Sequence, residues 1–584
     1  LYYSMNTSTI GGCHSCFHRV LFLLVIITTS LFPINSAFVT ARRSHHNPHY
    51  NNRHLDSNNN NIRSRMALGL SGRPGDSADG VSSSEITKEF HQLASAAVDL
   101  SNAHVSEAGI LSIQRSVRDW ENDKRKSLLY QFPTTMILPP EVLQQQHPIP
   151  LDPSIQIRLP SPSGKKLLIV KKQQGSNDNN DNTKPELELW ENGALIRKIP
   201  IKEQQHGSIV HDPTGFGIAS WSPDESYIVY VAERLPPTTH AFWEPKKTSK
   251  TKEEDGASSS SSIAGGQHIL GEGYMEEWGE QYVGQSPLLD LYILHFGSGK
   301  MERIANVPGE RDDTTTKATS GGGVTLGQPV WHPTLPKIAY TGWDAGGLGK
   351  MPKRLGMVYC RNRPSSIYSS DVTKLLQRLE VEDTTVDEAG SESNKKNNKD
   401  KDADYKSLTS TFPYARSPQF LQTGEMIFLA NPKPFVSHDG CMGLYKIGEN
   451  DDDTDCIVPV MDLPATDGPK VSGMGFPGLF MNQLPSKSSC GSKYLVLGTV
   501  WGSLSRLIRV DLETKKVQLL DFPSLAGDSS SSSHSLQCQT PLGDWIVSET
   551  ATNRPASLWL VPHADIVKEA KEETIVCKNA KLLT

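Results

Sequence analysis

The stretch that most constrains this chain runs from Asp212 to Glu233 and reads as turn, short strand, tight turn, strand. Trp221-Ser222-Pro223-Asp224 carries turn chemistry: Pro223 presets φ, and the Asp224 side chain can bond the backbone that follows. Tyr227-Ile228-Val229-Tyr230-Val231 is then aromatic or β-branched at every position. A strand that is apolar on both sides must be covered on both faces, as in a sheet packed between two other sheets.

Weaker copies of the unit recur. Leu159 to Lys166 leads into Leu167-Leu168-Ile169-Val170, and Glu186 to Glu191 alternates before the hairpin turn Asn192-Gly193. Further copies are Val330-Trp331-His332-Pro333 with Lys337 to Trp343, and Arg416-Ser417-Pro418-Gln419 with Gly424 to Leu429. Tyr494 to Gly498 with Leu507 to Leu512, and Trp545 to Val547 with Ser557 to Val561, keep the rhythm without the Pro-Asp turn. Outer strands of the type Leu289 to Leu294 end in Gly-rich turns such as Phe296 to Lys300. Four strands per unit, repeated six or seven times, predict a mainly β fold: a six- to seven-bladed β-propeller.

Around that array the composition shifts. Low-complexity runs at Gln173 to Lys184, Lys246 to Gly266, Asp383 to Ser407, Glu449 to Asp455 and Asp528 to Ser533 are expected to be disordered inserts. Ahead of it, Ile86, Phe90, Leu93, Ala97 and Leu100 recur every three or four residues, which predicts a helix from Ser84 to Val105. The charged run from Ile110 to Leu129 predicts a second, and prolines from Pro139 to Pro153 end the region.

The N-terminus reads as targeting sequence. Met5 is the natural start, and His18-Arg19 precedes an apolar core from Val20 to Ile27, too short to span a membrane. Small residues close the core at Ser36-Ala37, before Phe38. From Val39 to Met66 the chain is rich in Arg, Asn, Ser and His, with Asp56 its only acid. A signal followed by a transit-like leader resembles the bipartite presequence of complex plastids. The expected location is the plastid; a secreted or endomembrane location is the alternative, and the cytoplasm if the leader is not truly coded. The expected division is residues 1–37 signal, 38–83 leader, 84–150 helical region and 151–584 propeller.

The formal net charge of −6 gives no reason to expect nucleic acid, and no membrane span is expected in the mature form. Eight cysteines, among them Cys13 and Cys16 ahead of the signal core, are too sparse and irregular for a disulfide framework or a closed zinc site. No cofactor, metal ligand or catalytic residue is assigned. Gly-x-Ser-x-Gly and His-Glu-x-x-His do not occur, and Gly297 to Lys300 lacks the first glycine of a phosphate loop. Gly473 to Gly478 matches Gly-x-Gly-x-x-Gly, but Pro477 stands where the helix would begin, so it reads as a loop. Glu276-Glu277-Trp278-Gly279-Glu280 reads as a solvated or blade-edge loop rather than a catalytic acid pair. Arg354 with Arg361 and Arg363 could fork a carboxylate, but they read first as strand-end arginines in cross-strand ion pairs.

Several of these motifs together carry a resemblance. They are Phe216-Gly217, Trp221-Ser222, Tyr230 to Glu233, Glu277 to Glu280, Gly327 to Trp331, Gly342-Trp343, Arg354-Leu355-Gly356, Cys360-x-Asn362-Arg363, Ser366-Ile367-Tyr368 and Asp371. In order and spacing they resemble the N-terminal propeller of acylaminoacyl-peptidase, in the prolyl oligopeptidase group of serine peptidases. The resemblance implies a propeller that gates peptide access to an α/β-hydrolase domain, whose Ser-Asp-His triad releases N-acylated amino acids from blocked peptides. The chain stops at Thr584, where the resemblance puts the start of that domain, so it is expected to hold no triad residue. The expected partners are the peptide, the hydrolase domain in cis or in trans, and a possible second copy. The alternative is a stand-alone, non-enzymatic propeller that binds peptides or a protein.

Overall fold

A computed structural model describes residues 99–583, leaving out 120–123, 135–148, 173–184, 202–204, 212–214, 235–275, 279–288, 306, 309–323, 345–352, 356–363, 381–404, 434–439, 449–453, 486–488, 491–492, 524–531 and 552–553. The signal, leader and residues 84–98 fall outside it, as do most of the expected inserts.

Strands follow one another in antiparallel sets of four. The first sheet is Asp99–Val105, Ile110–Asp119, Lys124–Pro133 and Ile149–Pro150; the second is Ile155–Pro160, Lys166–Lys172, Pro185–Glu191 and Ala194–Pro200. In the third, a first strand split into Ile209–Val210 and Ser220–Trp221 pairs with Tyr227–Glu233, followed by Leu289–His295 and Met301–Arg303. The fourth is Val324–Trp331, Lys337–Asp344, Ser365–Asp371 and Tyr405–Ser407; the fifth is Tyr414–Phe420, Met426–Asn431, Gly443–Ile447 and Thr454–Val458. A single parallel bridge, Ser365 to Tyr414, joins these two. Ser489–Cys490, Tyr494–Trp501, Leu504–Asp511 and Val517–Asp521 make the sixth. The seventh is Ser533–Gln539, Trp545–Ala551, Arg554–Val561 and Lys581–Leu582.

Apolar packing between the sheets sets their order in space. Leu168, Val170, Leu187 and Leu189 of the second sheet meet Trp221, Ile228 and Tyr230 of the third. The opposite face of the third, Val229, Val231, Leu291 and Ile293, meets Ile338, Tyr340 and Trp343 of the fourth. The same relation joins fourth to fifth, fifth to sixth and sixth to seventh. Ile546 and Leu558 of the seventh then pack on Leu111, Ile113 and Phe132 of the first, which closes a ring. Seven four-stranded sheets in a closed ring are a seven-bladed β-propeller. The strand Tyr227–Glu233 is buried along nearly its whole length, as its two apolar faces required.

Two expectations are corrected. Residues 99–119 and 124–133 are not helical: they hold three strands of the first sheet, so the described propeller strands begin at Asp99 and not near residue 151. Leu111-Ser112-Ile113-Gln114 alternates apolar and polar, and a neighbouring sheet rewards that alternation more than local propensity rewards a helix. At the ends of the expected inserts, Tyr405–Ser407, Thr454–Asp455 and Ser533 are strand residues that complete or open a sheet. A helix absent from the sequence reading, Thr373–Glu380, buries Leu375 and Leu379 in the core between the third and fourth sheets.

Antiparallel order gives the ring two faces. On the distal face lie the turns between first and second strands, such as 106–109, 161–165 and 222–226. On the proximal face, first strands begin, fourth strands end, and second strands connect to third. The C-terminal segment leaves Val561, forms the helix His563–Val567, adds Thr574–Val576 parallel to the sixth sheet's outer strand, and returns as the seventh sheet's fourth strand.

Candidate functional site

The inner rim is built from first strands interrupted by bulges. In the fourth sheet the register slips between Gly327 and Val330, and in the fifth between Arg416 and Gln419. Both bulges hold an X-Pro pair, Gln328-Pro329 and Ser417-Pro418, with X at φ 52° and 57°. Proline fits there because a bulge leaves a residue without a ladder partner.

Gln328 uses that strained backbone to reach three sheets. Its amide donates to Phe216 O (2.6 Å) and its Nε2 to Gly215 O (2.8 Å) on the approach to the third sheet. Its Oε1 accepts from Thr341 Oγ1 (2.8 Å) in its own sheet and from the Ser417 amide (2.7 Å) in the fifth. Ser417 Oγ in turn accepts from the Leu484 amide (2.8 Å), ahead of the sixth sheet. A chain of hydrogen bonds therefore ties sheets three to six together at the rim. The fit leaves no slack: a Cβ on Gly217 would stand 2.7 Å from Gln328 Cα, and one on Gly327 2.6 Å from Phe216 O. Phe216 meets Trp343 edge-on at 5.2 Å between centroids, and Trp331 Nε1 donates to Ser220 O (3.0 Å).

The motifs picked out in the sequence thus divide into two groups. Phe216-Gly217, Gly327 to Trp331 and Trp343 come together as this clasp, which is architectural, while Trp221 packs toward the second sheet. Glu276–Trp278 and Lys353–Leu355 form a separate two-stranded parallel ladder, with Glu277 opposite Arg354 and Trp278 opposite Leu355. Both lie in second-to-third-strand connections, of the third and fourth sheets, which leave from the proximal face. Nothing in the sequence announced that pairing, because seventy-six residues of chain separate the partners. Gly356, Cys360, Asn362, Arg361 and Arg363 lie outside the described residues.

Other candidate groups are structural. His295 Nδ1 is 2.9 Å from Ser298 Oγ, but that hydroxyl bonds Leu379 O (3.1 Å), so the pair locks a turn. Asp290 is fully buried between Arg234 and Arg303 on neighbouring strands. Gly473 to Gly478 contributes to a tight hairpin, Lys470–Val471 with Met474–Gly475, and no phosphate loop. Among the described residues, no three His, Cys, Asp or Glu side chains are grouped to hold a metal ion.

A seven-bladed ring, with its rim clasp and a proximal ladder, defines the class: a β-propeller. The profile of "Acylamino-acid-releasing enzyme, N-terminal domain" matches residues 75–576, and the chain belongs to that family. It is 26% identical to acylamino-acid-releasing enzyme 1 of Oryza sativa subsp. japonica over 388 residues, 64% of this chain and 44% of that protein. With the Arabidopsis thaliana acylamino-acid-releasing enzyme it shares 28% over 378 residues, 62% of this chain and 41% of that one. The chain thus spans less than half the length of these curated relatives. Among solved structures it is similar to Pyrococcus horikoshii acylaminoacyl peptidase, with TM-score 0.42 and 10% identity, over 85% of this chain and 54% of that one. The β-propeller domain of the trilobed protease from Pyrococcus furiosus gives TM-score 0.39 and 10% identity, over 83% of this chain and 95% of that one.

Proposed function

We propose that this ring is the substrate-gating half of an acylaminoacyl-peptidase. It restricts access to a serine-hydrolase centre, carried by an α/β-hydrolase domain in cis or in trans, that releases N-acylated amino acids from blocked peptides. The observation that carries the reading is family membership along most of the chain, from residue 75 to residue 576. The proximal face is the natural docking side. Asp99 starts the first strand there, Leu583 heads toward it, and the Glu277–Arg354 ladder springs from it.

The ring itself supplies exclusion and not chemistry in this proposal. In this proposal the central channel of the ring admits an extended peptide and excludes a folded protein. A rigid rim serves that role, because a gate that breathes everywhere would not discriminate.

A direct assay separates this reading from that of a self-sufficient enzyme. The 584-residue chain alone, incubated with an acetylated amino-acid anilide, is expected to show no release above background. Clear turnover would place the chemistry inside the ring and overturn the division of labour.

A further inference from the structure

The outermost strands of the seven sheets are not alike. Those of the first, third, fourth and seventh sheets are two or three residues long. That of the fifth has five residues, and that of the sixth is covered by Thr574–Val576. The second sheet ends in seven residues, Ala194–Pro200, and among the described residues no strand follows them. Six of the seven are exposed, with Leu195 at 38% and Ile196 at 49%. A free strand edge presents a row of unpaired N–H and C=O groups, on which an extended polypeptide can add as a further strand.

Register against Pro185–Glu191 decides what an added strand would meet. Arg197 stands opposite Leu189 and Ile199 opposite Leu187, on the face that turns toward the third sheet. Lys198 stands opposite Glu188 on the other face, where Glu188 (3.4 Å) and Glu186 (3.9 Å) offset its charge. On the first of these faces a cleft of about 490 Å³ opens, lined by Ile199, Pro200, Met301 and Leu379 with Lys300, Arg378 and Glu302. Arg197 reaches its wall, donating from Nη2 to Gly297 O (3.4 Å) in the turn that leads to Lys300. Glu302 pairs with Arg378 at 2.7 Å, and Glu380, just past the lining, takes the Tyr227 hydroxyl. Arg197, Lys300 and Arg378 against Glu302 leave this side of the edge positive.

We propose that this edge and its cleft dock an extended, acidic segment of a partner protein, bound as a fifth strand of the second sheet. A carboxylate beside Arg197 and an apolar side chain two residues further, over Ile199 and Met301, match the face in register. Charge decides against a second copy of this chain. Self-pairing would gather Arg197 and Lys198 from both edges into one short ladder, where like charges repel. Pro200 ends the pairing, because it has no N–H to offer. The site lies on the outside of the ring and does not depend on the gating role.

The probe is a fluorescein-labelled peptide of alternating valine and glutamate, eight residues long, titrated into the full chain and read by anisotropy. Binding is expected with a dissociation constant of about 100 μM or below at low salt, and about tenfold weaker for a valine–lysine counterpart. Arg197→Ser combined with Lys300→Ser should weaken it about tenfold at an unchanged melting temperature, since neither side chain is buried. Hydrogen exchange gives the second reading: the acidic peptide should slow the amides of residues 194–199 and leave the other outer strands unchanged. No binding, equal binding of the lysine peptide, an undiminished double variant, or protection at another strand would overturn the proposal. So would a dimer of the chain alone that protects residues 194–199, since the occupant would then be a second copy.

Discussion

Gln328 concentrates the fold's specificity in one side chain. It is 3% exposed and bonded to Gly215, Thr341 and Ser417. Removing its amide leaves buried donors and acceptors in three sheets unsatisfied, at about 1–3 kcal/mol for each group that cannot relax. Gln328→Ala is expected to destabilise the ring by about 3 kcal/mol, read as a lower denaturant midpoint; a variant as stable as the parent would refute the clasp. The sequence made this residue visible as part of a family motif, but not its task. Its partners are more than ten residues away in every direction, and no local pattern encodes them.

Histidine burial gives a second prediction at the same scale. His206 is 3% exposed, with Nδ1 2.8 Å from Gly207 O and Nε2 2.9 Å from the Tyr230 hydroxyl. Burial holds its pKa below the ordinary 6.5, against the opposing Gly207 bond. Folding therefore favours the neutral ring, and the unfolded chain binds the extra proton. The resulting stability is present in full above pH 6.5 and is lost as pH falls below it. Melting temperature should drop between pH 7 and about 5.5, and drop less in His206→Gln; identical pH profiles would contradict the assignment.

Elements show where sequence reading succeeds and where it fails. The strand Tyr227–Glu233 was legible because burial on both faces leaves an uninterrupted apolar run. The first sheet was not, because one of its faces mixes Ser112, Gln114 and Gln131 with Leu129, and its third strand Lys124–Pro133 opens with three exposed basic residues, good helix formers. The C-terminal staple was hidden for another reason: a three-residue strand, Thr574–Val576, carries no periodicity. Arg509 holds that staple, donating to Ile566 O and to Lys568 O (2.8 Å) while stacked 4.2 Å over Tyr494. Arg509→Ala should cost about 2–4 kcal/mol and loosen the last two sheets first. Cys577, within the staple, has its thiol pushed up to about 12 by burial. Its alkylation in the folded chain should be negligible and should become measurable in Arg509→Ala; unchanged protection would show that Arg509 does not hold the staple.

At the scale of the whole molecule, the blade repeat, the approximate blade number and the family were readable from sequence. The pairing of Glu277 with Arg354 and the rim clasp were not, since each depends on how distant strands are registered. What remains to be tested is the use to which the ring is put. The most direct measurement isolates the native protein from its source with an antibody against residues 99–583. The isolate is assayed on a short N-acetylated peptide and on a folded N-acetylated protein. The account predicts release of the acetylated amino acid from the peptide and none from the folded protein. No release from the peptide, or equal release from both, would contradict it.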